Sequence, residues 1–405
     1  MQSQQSSDVV IVGGGMVGLS IAWQLLENGL KTSISIIEKE NQVGKHCSGR
    51  NSGILHAGIY YEPNSLKSRV CIGGAKRLKL WCEEEKVPIL ECGKIITPQK
   101  IELDSQLEIL LKRGQDNGAV VELIDERQFY EIMPDGRTST GRALWSPGTS
   151  VVKPRIVVEQ LKKRLEQRGV DFIMGAKVAR VSRAENKITL ADRSVHSYGR
   201  IINCAGLHAD RIAHLFGIGK RYIMLPFKGE YYQLREDAPF NINSNLYPVP
   251  DLEMPFLGVH ATPSLDGVTY LGPTATPALG RENYSGINEI DPSVITDFIY
   301  NFSKLLVKDK RIRNYAQRQI LEWLPNNFLG AAKELVPKLK IEHIKKSSKV
   351  GIRPQLYDTE DNCLIQDFVM LTGKDSIHVI NAISPAFTAS FELADYILKS
   401  TNIIP

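Results

Sequence analysis

The first 38 residues constrain the fold of this chain more than any other stretch. Asp8–Val12 is a short apolar run of the kind that forms a buried strand. Met16–Glu27 carries its apolar residues at helical spacing, and Lys31–Glu38 returns to a strand pattern that ends on an acid. Between the first two lies Gly13-x-Gly15-x-x-Gly18. Strand, glycine turn, helix, strand and acid in that order are the fingerprint of a dinucleotide-binding unit. Gly13 permits the tight turn out of the strand, Gly15 lets backbone approach a pyrophosphate, and Gly18 lets helix and strand pack closely. The helix N-terminus then offers unpaired N–H groups and a positive dipole end to the phosphates. Glu38, about twenty residues beyond Gly18, stands where a carboxylate reaches both ribose hydroxyls.

The bulk properties narrow the class without naming a chemistry. At 405 residues the chain builds one large or two intimate domains. Its formal net charge of +5 is too mild to mark a nucleic-acid partner, and none is expected. The six cysteines include no C-x-x-C pair and none at zinc-like spacing from a histidine, so free thiols and no metal site are expected. Met1–Ser7 is too short and polar for a secretory signal, and no apolar run approaches the ~20 residues that span a bilayer. A cytoplasmic protein is expected, with peripheral contact at the inner face of a membrane left open. Lys333, Lys338, Lys340, Lys345, Lys346 and Lys349 form a basic neighbourhood that reads first as a solvated face.

The fingerprint alone does not separate a flavin from a nicotinamide. After Glu38-Lys39, the stretch Ser48-Gly49-Arg50-Asn51-Ser52-Gly53 is rich in small residues whose backbone lies flat against a ligand. Together with Gly13–Gly18 it resembles the D-amino-acid-oxidase-like FAD-dependent oxidoreductases. His56-Ala57-Gly58-Ile59-Tyr60-Tyr61, Pro226–Tyr232 and Met254–His260 narrow the resemblance to the L-2-hydroxyglutarate dehydrogenase/oxidase family. It covers nearly the whole chain. It implies an α/β fold in which a Rossmann-like FAD-binding domain is interleaved with an α+β substrate domain on an antiparallel sheet. It also implies FAD-dependent oxidation of L-2-hydroxyglutarate to 2-oxoglutarate by hydride transfer. An amine or amino-acid oxidase of the same superfamily is the alternative, and a non-catalytic flavin-binding subunit is a third reading. The electron acceptor is left open among quinone, oxygen and protein.

Two later segments fit a flavin. Arg200–Gly206, RIINCAG, is a short apolar strand ending in small residues. Ser376–Ala382, SIHVINA, is another, running through Ser384-Pro385-Ala386 into an apolar helix over Thr388–Leu398. Ser384 is a candidate N-cap there and Pro385 sits near the first turn. The cofactor domain is expected from residues 1–80, 151–220 and 345–405, and the substrate domain from 81–150 and 221–344. Lys153–Arg168 reads as a helix, and Val170–Val181 and Lys187–Leu190 as strands. YYQL, FLGVH and VTYLGP read as strands of the substrate sheet, the second ending at His260.

Oxidising a 2-hydroxy acid needs a cation for the carboxylate and a base for the hydroxyl proton. Arg353, in Gly351-Ile352-Arg353-Pro354, matches a carboxylate with a guanidinium fork, and related flavin oxidases carry their carboxylate-binding arginine in a similar element. Lys228 and Arg50 are secondary candidates for a distal carboxylate. His56 and His260 are the candidate bases, since an imidazole accepts a proton at neutral pH. Tyr60, Tyr61, Tyr231 and Tyr247 offer hydroxyls to a substrate. The resemblance implies cofactor contacts at Gly13, Gly15, Gly18, Glu38 and Lys39, then at Ser48, Asn51, Ser52 and Val178. Ala205, Gly206, Arg353, Ser384 and Thr388 complete them.

Overall fold

The computed structural model describes residues 5–250, 258–308, 310, 313–314 and 325–404. Two large sheets share the chain. The first has eight strands, and its parallel heart is drawn from distant stretches. Gln5–Val12 lies between Ile34–Ile37 on one side and Val195–Asn203 on the other. Asp171–Ile173 extends it beyond Ile34–Ile37, and Ser376–Asn381 extends it beyond Val195–Asn203. Val9–Val12, Ile34–Ile37, Ile201–Asn203 and Ser376–Asn381 are buried at every position, as the heart of a helix-covered parallel sheet requires. The helices Met16–Glu27, Leu66–Glu84, Pro154–Gln167 and Ser390–Ser400 pack over one face around Leu19, Leu25, Leu161, Phe391 and Leu398.

The second sheet has ten strands and is antiparallel except where Asn245–Pro248 runs alongside Lys94–Thr97. Its centre is the long pairing of Tyr222–Leu234 with Ile344–Asp358. A third, small sheet joins Ile54–Leu55 and Ile89–Leu90 to Ser150–Val152. The mixed α/β architecture expected from sequence is therefore present.

Local expectations fail where long-range pairing decides. Ile344–Asp358 belongs to the ten-stranded sheet, so the boundary placed at 345 cuts through a substrate-side strand; the cofactor sheet regains the chain only at Val369. The stretch Val170–Val181 is two strands, Asp171–Ile173 and Val178–Ser182, broken at Gly175, which takes φ +68°. FLGVH does not end as a strand at His260. A strand begins there and runs to Pro263, while Phe256 and Leu257 lie outside the described residues. The C-terminal helix starts at Ser390, with Ala389 as N-cap, so Ser384 is not its cap. Residues 384–389 instead form a turn in which Ala389 N donates to Pro385 O at 2.9 Å. Among the described residues, no helix is long and apolar enough to cross a membrane.

A buried ion pair ties the two halves together. Arg281 (4% exposed) binds Asp210 (2%) through both guanidinium nitrogens and also donates to Leu207 O at 2.5 Å. Asp210 accepts from Met224 N at 3.0 Å, which fixes the start of the long substrate-side strand to the helix Ala209–Leu215. Arg281→Met strands a buried carboxylate, so the unfolding free energy is expected to fall by about 3–5 kcal/mol in a denaturant titration. Asp210→Asn with Arg281→Met together should cost less than Arg281→Met alone.

Candidate active site

The carboxyl ends of the parallel strands, at Val12, Ile37 and Asn203, open into one cavity of about 700 Å³. It runs from the glycine turn and Glu38, past Val178, Ala205 and Gly206, to a far wall of Tyr231, Tyr247, His260 and Arg353 from the second sheet. A ligand in an open α/β sheet is expected in this position.

The glycines divide into two kinds. A Cβ on Gly13 would lie 2.5 Å from Cys204 O, and one on Gly18 would lie 2.2 Å from Gly13 O. These two are required by the packing of the protein itself. Gly15 has an ordinary φ of −88°, and a Cβ there would meet only Ser48 Oγ, at 3.0 Å. Its remaining space opens on the cavity, as does that of Gly206, which has φ +54° and no neighbour within 4 Å. Gly15 is also the N-cap of Met16–Glu27 and provides no capping side chain. Ser48 Oγ accepts from Met16 N at 2.8 Å and holds that helix end in place. Glu38 is buried, its two oxygens accepting from Gly14 N at 2.8 Å and Glu40 N at 2.9 Å, and each oxygen keeps a lone pair for a ribose hydroxyl. Backbone cradle, helix end and acid fit a dinucleotide without rearrangement.

Lys39 lines the same end but is engaged by Glu40 and by Glu282, at 2.7 Å from the latter. Glu40, His46 and Glu282 bring three metal-ligand side chains within 4.8 Å of one another. Lys39, Lys45 and His208 pair with these acids, so the cluster reads as an ion-pair network at the mouth of the cavity. Sequence spacing hid it because Glu282 is remote in the chain.

The middle of the cavity is built by two segments meeting. Asn51 points inward on its own turn, donating to Ser48 O at 2.9 Å and accepting from Gly53 N at 2.8 Å, and so shapes the loop beside Ser52. His56 follows the strand Ile54–Leu55. Thr388 accepts from His56 N at 3.2 Å and donates to Ile54 O at 3.1 Å, while Ser384 Oγ lies 3.5 Å from His56 Nε2. Ser384 and Thr388 thus hold the histidine segment. His56 Nδ1 is buried with no hydrogen-bond partner among the described residues. Enclosure lowers the His56 pKa well below the usual imidazole value, and the charges of Lys94, His260 and Arg353 lower it further. His260 is pushed to about 3, chiefly by burial. Its Nδ1 donates to Gly258 O at 3.0 Å, which leaves Nε2 as an acceptor, and its ring stacks on Tyr247 at 3.9 Å between centroids.

Several assignments made from sequence move. Strand alternation puts Phe227, Gly229 and Tyr231 along the cavity wall and turns Lys228 out of it; Lys228 Nζ donates to Asn283 Oδ1 at 3.1 Å. Arg50 touches the wall, but its guanidinium lies 4.0 Å over the Tyr284 ring and donates to Lys45 O and Val350 O. Tyr60 sits behind the wall, packed with Ile59 and Tyr247. Within the basic stretch, Lys338, Lys340 and Lys346 pair with Asp135, Glu342 and Glu230. Lys349 leaves that surface altogether and lies half-buried over the rings of Tyr231 and Tyr270. Desolvation draws Lys349 and Lys67 down to about 8. Lys94, which sequence reading passed over, lies buried beside Tyr60 and Tyr247. The one signal it left was a charge at the head of the otherwise strand-like KIIT.

A nucleotide cradle on one sheet, facing a polar reaction wall on a second, is the plan of the flavin-dependent oxidoreductases that act on small substrates. Residues 8–399 match the family described as DAO, FAD dependent oxidoreductase; the chain belongs to it, and its cofactor is FAD. Its kinship within that family is with the L-2-hydroxyglutarate dehydrogenases. It is 34% identical over 405 residues to the mitochondrial L-2-hydroxyglutarate dehydrogenase of Caenorhabditis elegans, covering 96% of this chain and 92% of that one. The Homo sapiens protein of the same name is 32% identical, covering 98% and 88%. That of Escherichia coli K12 is 30% identical, covering 98% and 93%. Among solved structures, the FAD-bound L-α-glycerophosphate oxidase of Mycoplasma pneumoniae shares the fold with a TM-score of 0.75 at 22% identity, over 98% of this chain and 95% of that one. Glycine oxidase of Geobacillus kaustophilus does so with 0.73 at 17%, over 99% and 96%.

The two kinds of glycine should separate experimentally. Gly18→Ala forces Gly13 O aside and should lower the unfolding free energy of the apoprotein by about 1–3 kcal/mol. Gly15→Val should leave apoprotein stability closer to wild type yet abolish FAD retention, read as the ratio of flavin to protein absorbance.

Proposed function

We propose that this enzyme oxidises L-2-hydroxyglutarate to 2-oxoglutarate, with Arg353 holding the α-carboxylate and His56 taking the hydroxyl proton. The observation that carries the reading is a cavity wall of one sign. Arg353 lines it, and Lys67, Lys94 and Lys349 sit close enough to act on His56, His260 or the wall tyrosines. Such a wall suits a substrate of two negative charges, as the names of the sequence relatives suggest.

FAD supplies the hydride acceptor at the substrate's α-carbon. Arg353 orients that carbon by binding the carboxylate bidentately, a geometry lysine does not reproduce. His56 stays neutral because of its surroundings, so it accepts the proton without first having to lose one. Thr388 and Ser384 fix the segment and the ring from the C-terminal side. His260 lies on the opposite wall, oriented by Gly258, and is the second candidate for the base. The wall tyrosines Tyr231 and Tyr247 exclude water around the reacting carbon. Oxygen, a quinone or a protein completes the turnover as electron acceptor, and contact with a membrane surface would serve a quinone.

Arg353→Lys should cost about 2–4 kcal/mol of transition-state stabilisation, read from the fall in kcat/KM, while FAD stays bound. An unchanged kcat/KM would place the carboxylate elsewhere. His56→Ala should slow flavin reduction about 10²–10⁴-fold in anaerobic stopped flow.

The acid limb of the kcat/KM profile follows from the direction of the shift. A base works only when unprotonated, and a lowered pKa keeps it unprotonated to lower pH. Activity should therefore hold from pH 7 down past the ordinary imidazole value of about 6.5. A limb centred near 6.5 and unaffected by His56→Ala would reassign the base.

A further inference from the structure

The helix Pro292–Lys308 has two apolar faces, and only one of them is packed. Val294, Phe298 and Leu305 recur at helical spacing and are buried. The Phe298 ring meets that of Phe227 at 5.3 Å between centroids, and Phe227 lines the cavity, so the helix stands directly behind the active-site wall. The core contact accounts for the inner face alone. On the outer face Ile299 is 66% exposed, Tyr300 61% and Val307 82%. Tyr300, Ser303 and Val307 fall in one row along the helix, with Ile299 beside it. Ile287 and Ile290, shortly before the helix, are exposed as well. An exposed apolar side chain on its own is ordinary, but three large ones within about two turns of one helix face mark a contact surface.

The charge around this face has one sign. Lys308, Lys310 and Arg313 are exposed, and the Lys304 ammonium lies 3.9 Å over the Tyr300 ring. Among the described residues from Pro292 to Asn314, no exposed side chain is acidic, and Asp297 is half-buried. The acids nearest the ends of the helix are already paired. Asp291 binds Arg211 at 2.8 Å, while Glu360 and Asp361 bind Arg221 at 2.9 and 2.6 Å. Lys308 Nζ donates to Asp361 O at 3.0 Å, a backbone contact that leaves its charge in place. Isoleucine and valine with a tyrosine among them, flanked by lysine and arginine and free of acids, suit the boundary between lipid headgroups and acyl chains. There the apolar side chains leave water, the tyrosine ring sits at headgroup level, and the cations meet lipid phosphates.

We propose that the outer face of Pro292–Lys308 docks on an anionic membrane surface, with Ile299, Tyr300 and Val307 entering the interface and Lys304, Lys308 and Lys310 contacting the headgroups. The inference is independent of which hydroxy acid the enzyme oxidises. It moves membrane contact away from the lysines at 333–349, where Lys338, Lys340 and Lys346 already pair with acids. Charge also decides against a second copy of this chain as the occupant. A two-fold axis through the helix would set its cations against themselves.

The test is co-sedimentation of the FAD-loaded, full-length enzyme with vesicles of phosphatidylcholine alone or mixed with phosphatidylglycerol. The wild type should partition onto the mixed vesicles at least about tenfold more strongly than onto phosphatidylcholine. Salt at about 1 M, where charges are screened beyond about 3 Å, should release most of it. Ile299→Ser with Val307→Ser should weaken partitioning at least about tenfold, and Lys304→Glu with Lys310→Glu should do the same. Both double variants change side chains at the surface, so FAD content and kcat/KM with a soluble dye as electron acceptor should stay at wild-type values. A wild-type enzyme that ignores the mixed vesicles overturns the proposal. So does binding that neither double variant weakens, which would put the membrane contact elsewhere on the molecule. Equal binding to both kinds of vesicle overturns the role of the cations. Light scattering supplies the remaining check: a wild-type dimer that Ile299→Ser with Val307→Ser converts to monomer would give the face to a second copy and overturn the membrane.

Discussion

The close approach at Gly13 sets the geometry on which the rest depends. There the first strand turns against Cys204 O while Gly18 packs on Gly13 O, leaving no room for a Cβ at either position. This contact brings the N-terminus of Met16–Glu27 to the ends of the parallel strands and joins residues near 13 to residues near 204. With that end fixed, Ser48, Glu38 and Gly206 converge on the same opening. Ser376–Asn381, paired beside Val195–Asn203, delivers Ser384 and Thr388 to the far side of the cofactor space. The His56 segment is then held from a stretch of chain more than 300 residues away.

The opposite wall solves an electrostatic problem. Holding an anion in a small apolar chamber requires cations already stripped of water, and such cations are costly without the anion. The fold spreads the cost. Arg353 keeps a guanidinium on the strand paired with Tyr222–Leu234. Lys67 and Lys349 are half-buried, within the influence of Asp367 and Asp266 respectively. Lys94 is buried outright, on a strand whose neighbours hold it rigidly. Burial, with the field of these cations added to it, keeps His56 and His260 uncharged, which is the state a base needs.

Much of this was legible from local pattern. The glycine fingerprint with Glu38 and the strands at RIINCAG and SIHVINA follow from residue types at short spacing, while the candidacy of His56, His260 and Arg353 leaned on the family resemblance as well. Each depends on interactions within a turn or a strand. Lys228 failed because a one-residue step along a strand reverses the direction of a side chain, and sequence does not say which face meets the ligand. Ser384 failed as a cap because the chain makes one more turn before the helix begins. The 345 boundary failed because Ile344–Asp358 pairs with a strand more than a hundred residues earlier.

The sequence by itself determined that this chain binds a dinucleotide through a βαβ unit, and through its resemblance that the dinucleotide is FAD. Those properties rest on backbone conformations available to glycine and on periodicities of two and 3.6 residues, which are written locally. Only the tertiary structure decided which charged side chains face the cavity. Arg353 lines it, and Lys67, Lys94 and Lys349 gather behind its wall from three separated stretches of chain, Lys349 sharing a strand with Arg353. Desolvation and mutual repulsion, which set what these groups do, depend on what is folded over them.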